Sequence, residues 1–134
     1  MDSKTAKQLQ IGDRVYYKYA QCTVQSNLKH NGGENYSIDV LRVNDHLLER
    51  GAPIQKIFLP TKQVIEASNF IAKKKKDLDQ ILKNRSGKKI NPNTIIELFD
   101  KYWIMMCNAN DHYSYCAHKV WFNALIEKLF KVSK

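Results

Sequence analysis

The chain changes its periodicity at Pro60, and that change limits what it can fold into. Ahead of Pro60, short apolar–polar alternations are broken by turn residues. Beyond it, Thr61 to Asn84 carries no Gly or Pro, and Val64, Ile65, Ile71, Leu78, Ile81 and Leu82 recur at helical spacing. The first part therefore reads as strands and the second as helices.

The strand signals are local. Ile11-Gly12-Asp13 is a turn that launches a strand over Arg14 to Tyr19, rich in the Val and Tyr that suit a pleated, half-buried surface. Cys22 to Leu28 reads as a second strand. Asn31-Gly32-Gly33-Glu34-Asn35 turns the chain, because Asn and Gly reach positive φ cheaply. Tyr36 to Val43 alternates as a strand with one buried face, Asn44-Asp45-His46 turns again, and Ile54 to Leu59 forms a further strand stopped by Pro60. Closely spaced short strands predict a small antiparallel barrel of SH3-like or Tudor-like size over residues 1–62.

Residues 63–134 are predicted to form a compact α-helical module, making the chain α+β. Ser68-Asn69 is a candidate interruption of the first helix, with Asn69 as a plausible cap ahead of Phe70, and Arg85 to Lys89 reads as a loop. Asn91-Pro92 opens the next helix, with Thr94 and Glu97 as an alternative capping box, and the helix runs through Ile95, Leu98, Phe99, Tyr102 and Met106. Asn108 to His112 breaks it, and Ser114 is the expected cap of the last helix. There Ala117, Val120, Trp121, Ala124, Leu125 and Leu129 form the expected core stripe, widened by Phe122, Ile126 and Phe130.

Charge separates the modules as well. The formal charge is +9; residues 1–66 hold nine basic and seven acidic residues, residues 67–134 thirteen and six. A basic excess confined to one half points to polyanions. Lys73, Lys74, Lys75 and Lys76, with Lys83, Arg85, Lys88 and Lys89, form a surface suited to phosphates but poor in the arginine that reads bases bidentately. The near-neutral barrel suits a protein partner, with Lys29, Arg42, Lys56 and Phe58 as candidate contacts.

Other classes are poorly served. No apolar run is long enough for a membrane span, and Met1 to Gln10 is too polar for a signal peptide. Three scattered cysteines do not make a secreted disulfide scaffold, so a reducing cytoplasm is expected. Cys107, His112, Cys116 and His118 cluster, but not at standard zinc-finger spacing, so no metal or cofactor is expected. There is no nucleophile elbow or phosphate loop, and no enzyme activity or small-molecule substrate is expected.

The order of parts resembles the CarD/CdnL family of bacterial transcription regulators. Ile11-Gly12-Asp13-Arg14-Val15-Tyr16-Tyr17 is similar to its opening "VGD-x-VVYP" strand, Tyr36 to Leu41 to its central "YxVL" strand, and Ile57-Phe58-Leu59-Pro60 to its closing apolar pair. Asn69-Phe70, the lysine run and Asp77-Leu78-Asp79-Gln80-Ile81 resemble its "W-x-R-R-Y-x-x-N-L-E-K-I" segment, and Tyr113-Ser114-Tyr115 the turn before its last helix. Phe70 stands where the family has a DNA-wedging tryptophan, and Cys116-Ala117-His118-Lys119 where it has "G-E-K-R". The resemblance implies a barrel that docks on the RNA polymerase β subunit. It also implies a helical module lying over promoter DNA, with Phe70 wedged into the minor groove, and a cytoplasmic, nucleoid-associated protein without catalytic chemistry. Two other readings remain open: a Tudor-like peptide or methyl-lysine reader with a cage from Tyr16, Tyr17, Tyr19 and Tyr36, or a phage or plasmid accessory protein acting on host polymerase or DNA.

Overall fold

The computed structural model describes residues 1–33, 35–84 and 92–132, with side chains through residue 80 and from 93 to 128. The chain divides into two compact units, Met1–Ser68 and Asn69–Lys134.

The first unit is a curled antiparallel half-barrel. After a single helical turn, α1 (Ser3–Ala6), come β1 (Arg14–Tyr17), β2 (Ala20–Val24), β3 (Lys29–His30), β4 (Tyr36–Arg42), β5 (Leu48–Pro53) and, past a 3-10 turn at Ile54–Lys56, β6 (Ile57–Phe58). The path through the sheet is β3-β4-β2-β1-β6, with β5 paired to β4. Residues two apart enter one core: Val15 and Tyr17, Cys22 and Val24, Ile38 and Val40, joined by Ala52, Ile54 and Ile57. Lys18 and Tyr19 form a two-residue hairpin loop between β1 and β2, both at positive φ (48° and 49°). That conformation matches the strand twist but normally selects Asn-Gly. The expected strand over Arg14 to Tyr19 therefore ends at Tyr17.

Three features of the barrel are not read from the local signals. β5 runs through Leu48-Glu49-Arg50-Gly51-Ala52-Pro53, a stretch to which the strand signals assign nothing. Its conformation comes from pairing with β4, and Asp39 Oδ1 accepts from the Gly51 amide (2.8 Å) where the β4–β5 register shifts. Only Ile57–Phe58 of the expected Ile54 to Leu59 strand is extended, since Ile54–Lys56 coils into the 3-10 turn. The polar N-terminal segment is ordered on the barrel: Asp2 caps α1 through the Thr5 amide (2.8 Å), and Ala6 enters the core.

Beyond the barrel, α2 (Lys62–Asn84), α3 (Pro92–Cys107) and α4 (His112–Val132) follow. Thr61 Oγ1 accepts from the Val64 amide (3.2 Å) and caps α2. The helix then passes through Ser68-Asn69 without the expected break: buried Ser68 donates its hydroxyl to the Val64 carbonyl (2.7 Å), so its polar group is satisfied inside the helix. Asn69 is mid-helix and is not a cap. The cap of α4 is Asp111, not Ser114; its Oδ1 accepts from the Ser114 amide (2.7 Å). Those bonds to Ser114 hold the Asp111 carboxyl below its usual range.

The core of the second unit contains Ile71, Leu78, Ile95, Phe99, Trp103, Met106, Tyr115, Phe122 and Ile126. α4 is turned from the expected orientation: of the expected apolar face Phe122 and Ile126 are buried, Val120, Trp121 and Ala124 are not, and the side chains of Leu129 and Phe130 lie outside the described residues. Tyr115, Phe122 and Ile126 face inward, while Val120 and Trp121 stand in solvent. α4 is apolar nearly all round, so periodicity alone cannot orient it. Packing does: the Phe122 ring meets Phe99 at 4.9 Å, Tyr102 at 5.3 Å and Phe70 at 6.0 Å between centroids.

Candidate nucleic-acid interface

Phe70 lies in the third turn of α2, mostly but not fully buried, edge-on to Phe122. Four residues on, Lys74 reaches back with its ammonium 5.6 Å from the ring centroid, as the i,i+4 geometry of a helix allows. From α4, Lys119 comes closer, at 4.8 Å, and the same ammonium lies 5.5 Å from the Tyr115 ring. Phe70 is thus neither free in solvent nor sealed in the core; it is an aromatic edge flanked by two cations.

The lysine run splits by direction. Lys73 and Lys76 are exposed and share one side of α2, whereas Lys74 turns toward Phe70. Lys75 is tied to Asp79 in an i,i+4 pair, with its Nζ 2.7 and 2.9 Å from the two carboxylate oxygens. Within the run, Lys73 and Lys76 therefore carry the charge most open to a phosphate, while Lys74 and, from α4, Lys119 lie at the ring. The side chain of Lys83, and all of Arg85, Lys88 and Lys89, lie outside the described residues. Lys119 and Tyr115 were not anticipated. The available signal was their own i,i+4 spacing on the last helix, but which face of that helix meets α2 is not written in the spacing.

The candidate protein contacts on the barrel fare unevenly. Lys29 Nζ pairs with Asp39 Oδ2 (2.9 Å), and Arg42 Nε with Asp45 Oδ1 (2.9 Å), so both cations already serve the barrel. Lys56 is exposed. Phe58 is buried, paired across the strands with buried Tyr16, and so is not presented to a partner. The four tyrosines do not all share one face of the sheet. Tyr16 and Tyr17 are successive strand residues on opposite faces of the sheet, both buried. Tyr36 is stacked on His30 (4.8 Å), with Lys7 over its ring at 5.7 Å.

Of the Cys/His group, His112 Nε2 and Cys116 Sγ meet at 3.4 Å. No three potential metal ligands converge among the described residues. Burial pushes the Cys107 thiol up to about 12, far from the thiolate a metal needs. Among the described residues no helix is long and apolar enough to cross a membrane. In comparisons with known proteins, no family model, no curated protein and no solved structure matches the chain.

Proposed function

We propose that the chain is a non-enzymatic transcription regulator of the CarD/CdnL kind. On this reading an SH3- or Tudor-like barrel binds bacterial RNA polymerase, and the basic helical unit rests on promoter DNA and stabilises the open complex. The observation that carries the reading is Phe70, set between Lys74 and Lys119 beside exposed Lys73 and Lys76. Cations that hold two phosphates while an aromatic edge meets the base step between them are what a minor-groove wedge requires. Lysines supply attraction without sequence readout, so binding is expected to depend on DNA shape and on salt. Among the candidate contacts, Lys56, exposed on the near-neutral unit and outside the Lys29 and Arg42 ion pairs, is the cation that supports a polymerase contact.

The test uses the full chain. Fluorescence anisotropy on a labelled promoter fork, premelted at its upstream edge, is followed from about 50 to 200 mM salt. Engagement of four phosphates gives a log–log slope of roughly −3.6. The fork is expected to bind more tightly than the closed duplex, and core polymerase is expected to co-sediment with the chain, less so with Lys56→Glu. A flat salt response removes the electrostatic reading, and failure to retain polymerase removes the regulator reading.

A further inference from the structure

The outward face of α4 is apolar and symmetric. Tyr113 is 84% exposed, Val120 63% and Trp121 57%. Ala124 is exposed and Ala117 partly so, and exposed Lys128 closes the row. At about 100° per residue, these six positions fall within about 50° of one midline. They are opposite in direction to Tyr115, Phe122 and Ile126, which point into the core.

The positions of the row also pair off about its centre. About the midpoint between Val120 and Trp121, Ala117 mirrors Ala124, and aromatic Tyr113 mirrors cationic Lys128. A two-fold interface sets each residue of one copy against its mirror position in the other, so it demands such self-complementarity. We propose that α4 pairs antiparallel with α4 of a second copy of this chain. At the centre, Trp121 of each copy packs on Val120 of the other. The two alanine pairs leave room for that ring and let the backbones approach. At each end the Lys128 ammonium lies over the facing Tyr113 ring. Nothing in this register sets like charges together, although the chain as a whole carries +9. Within one copy, His118 meets Trp121 edge-on at 5.6 Å and steadies the indole.

Size sets the strength. A large aromatic buries about 150–250 Å², so the exposed shares of Tyr113 and Trp121 with Val120 supply roughly 400 Å² per copy. That is about half of what a standard interface contributes per partner. The dimer is accordingly weak, with half-association at roughly 10–500 μM. Salt acts oppositely on the two processes. Screening the net positive charge strengthens self-association, while the same salt weakens nucleic-acid binding.

Sedimentation velocity of the full chain from about 10 to 800 μM, at low and moderate salt, reads the association. The expected result is a concentration-dependent shift toward dimer, larger at the higher salt and abolished by Trp121→Glu and by Val120→Glu, with far-UV circular dichroism unchanged. Register is read independently in a Cys116→Ser background, with a short bis-maleimide. A mixture of Ala117→Cys and Ala124→Cys chains is expected to cross-link several-fold faster than either chain alone, since those positions face each other only across the antiparallel pair. A monomer at every concentration overturns the proposal. So does association that survives both glutamates, or equal cross-linking in the mixture and in the single variants.

Discussion

Removing the Phe70 ring is the sharpest perturbation of the candidate interface. A fully buried phenylalanine cut to alanine costs about 3–5 kcal/mol. Phe70 is mostly but not fully buried, which brings the packing share to about 2–4 kcal/mol. The contacts with Lys74 and Lys119 are made at a partly exposed site and add about 0.5 kcal/mol together after solvent screening. Phe70→Ala is therefore expected to cost about 2.5–4.5 kcal/mol, somewhat less than the roughly 3–5 kcal/mol for Phe99→Ala at a fully buried neighbour of the same Phe122 ring. Urea unfolding followed by tryptophan emission suits the measurement, because both tryptophans, Trp103 and Trp121, belong to the second unit and report it alone. Phe70→Leu separates packing from the ring's own chemistry. It keeps apolar volume and should cost only about 1 kcal/mol, yet it loses the flat face that stacks on a base step and should weaken binding to the promoter fork as much as alanine does. A loss under about 1 kcal/mol for Phe70→Ala would refute the packed geometry. Fork binding by Phe70→Leu equal to the unchanged chain would refute the wedge.

Further outcomes follow from the barrel and the thiols. Lys18→Asn with Tyr19→Gly places the preferred residues in a loop whose two φ values are 48° and 49°, and should raise the barrel's stability by about 1 kcal/mol in thermal unfolding; a loss would mean the native side chains hold the turn. The Asp39 carboxyl is held below its usual range by hydrogen bonds from Lys29 and the Gly51 amide. Because its folded pKa is depressed, the stability it confers is present above the ordinary carboxylate pKa and is lost as pH falls below that value through the folded one. Asp39→Asn should flatten the fall in stability below about pH 4 while leaving the slope near neutrality unchanged; an unchanged acid limb would exclude Asp39 as its source. Burial raises the thiols of Cys22 to about 11 and of Cys107 to about 12, so a thiol-reactive disulfide reagent at neutral pH should modify Cys116 first and the other two only as the chain opens. Three equal fast phases would contradict that burial.

Much of the plan was legible because it is written in local signals. The division into strands and then helices follows from periodicity changing at Pro60, and α2 ends and α3 begins near the expected Asn84 and Pro92. β4 emerged from alternation over most of its length, in which each step of one residue reverses the side chain. The lysine run was visible as charge, although only the helix shows that Lys73 and Lys76 point out while Lys75 is spent on Asp79.

What the tertiary structure decided has a common physical cause: the deciding partner lies far along the chain. β5 contains Gly51 and Pro53 and has little strand propensity of its own; its extended form comes from hydrogen bonds supplied by β4. Ser68 and Asn69 carry the marks of a helix break, but Ser68 satisfies its hydroxyl on the turn before it, and the helix runs on. α4 offers two apolar faces of similar strength, so sequence alone could not choose between them. The choice fell to the Phe122 ring, which meets aromatic rings from α2 and α3 together, and that same rotation brings Lys119 over Phe70 and leaves Val120 and Trp121 outside. Periodicity specifies that a helix has faces; only the shapes it packs against specify which face is buried.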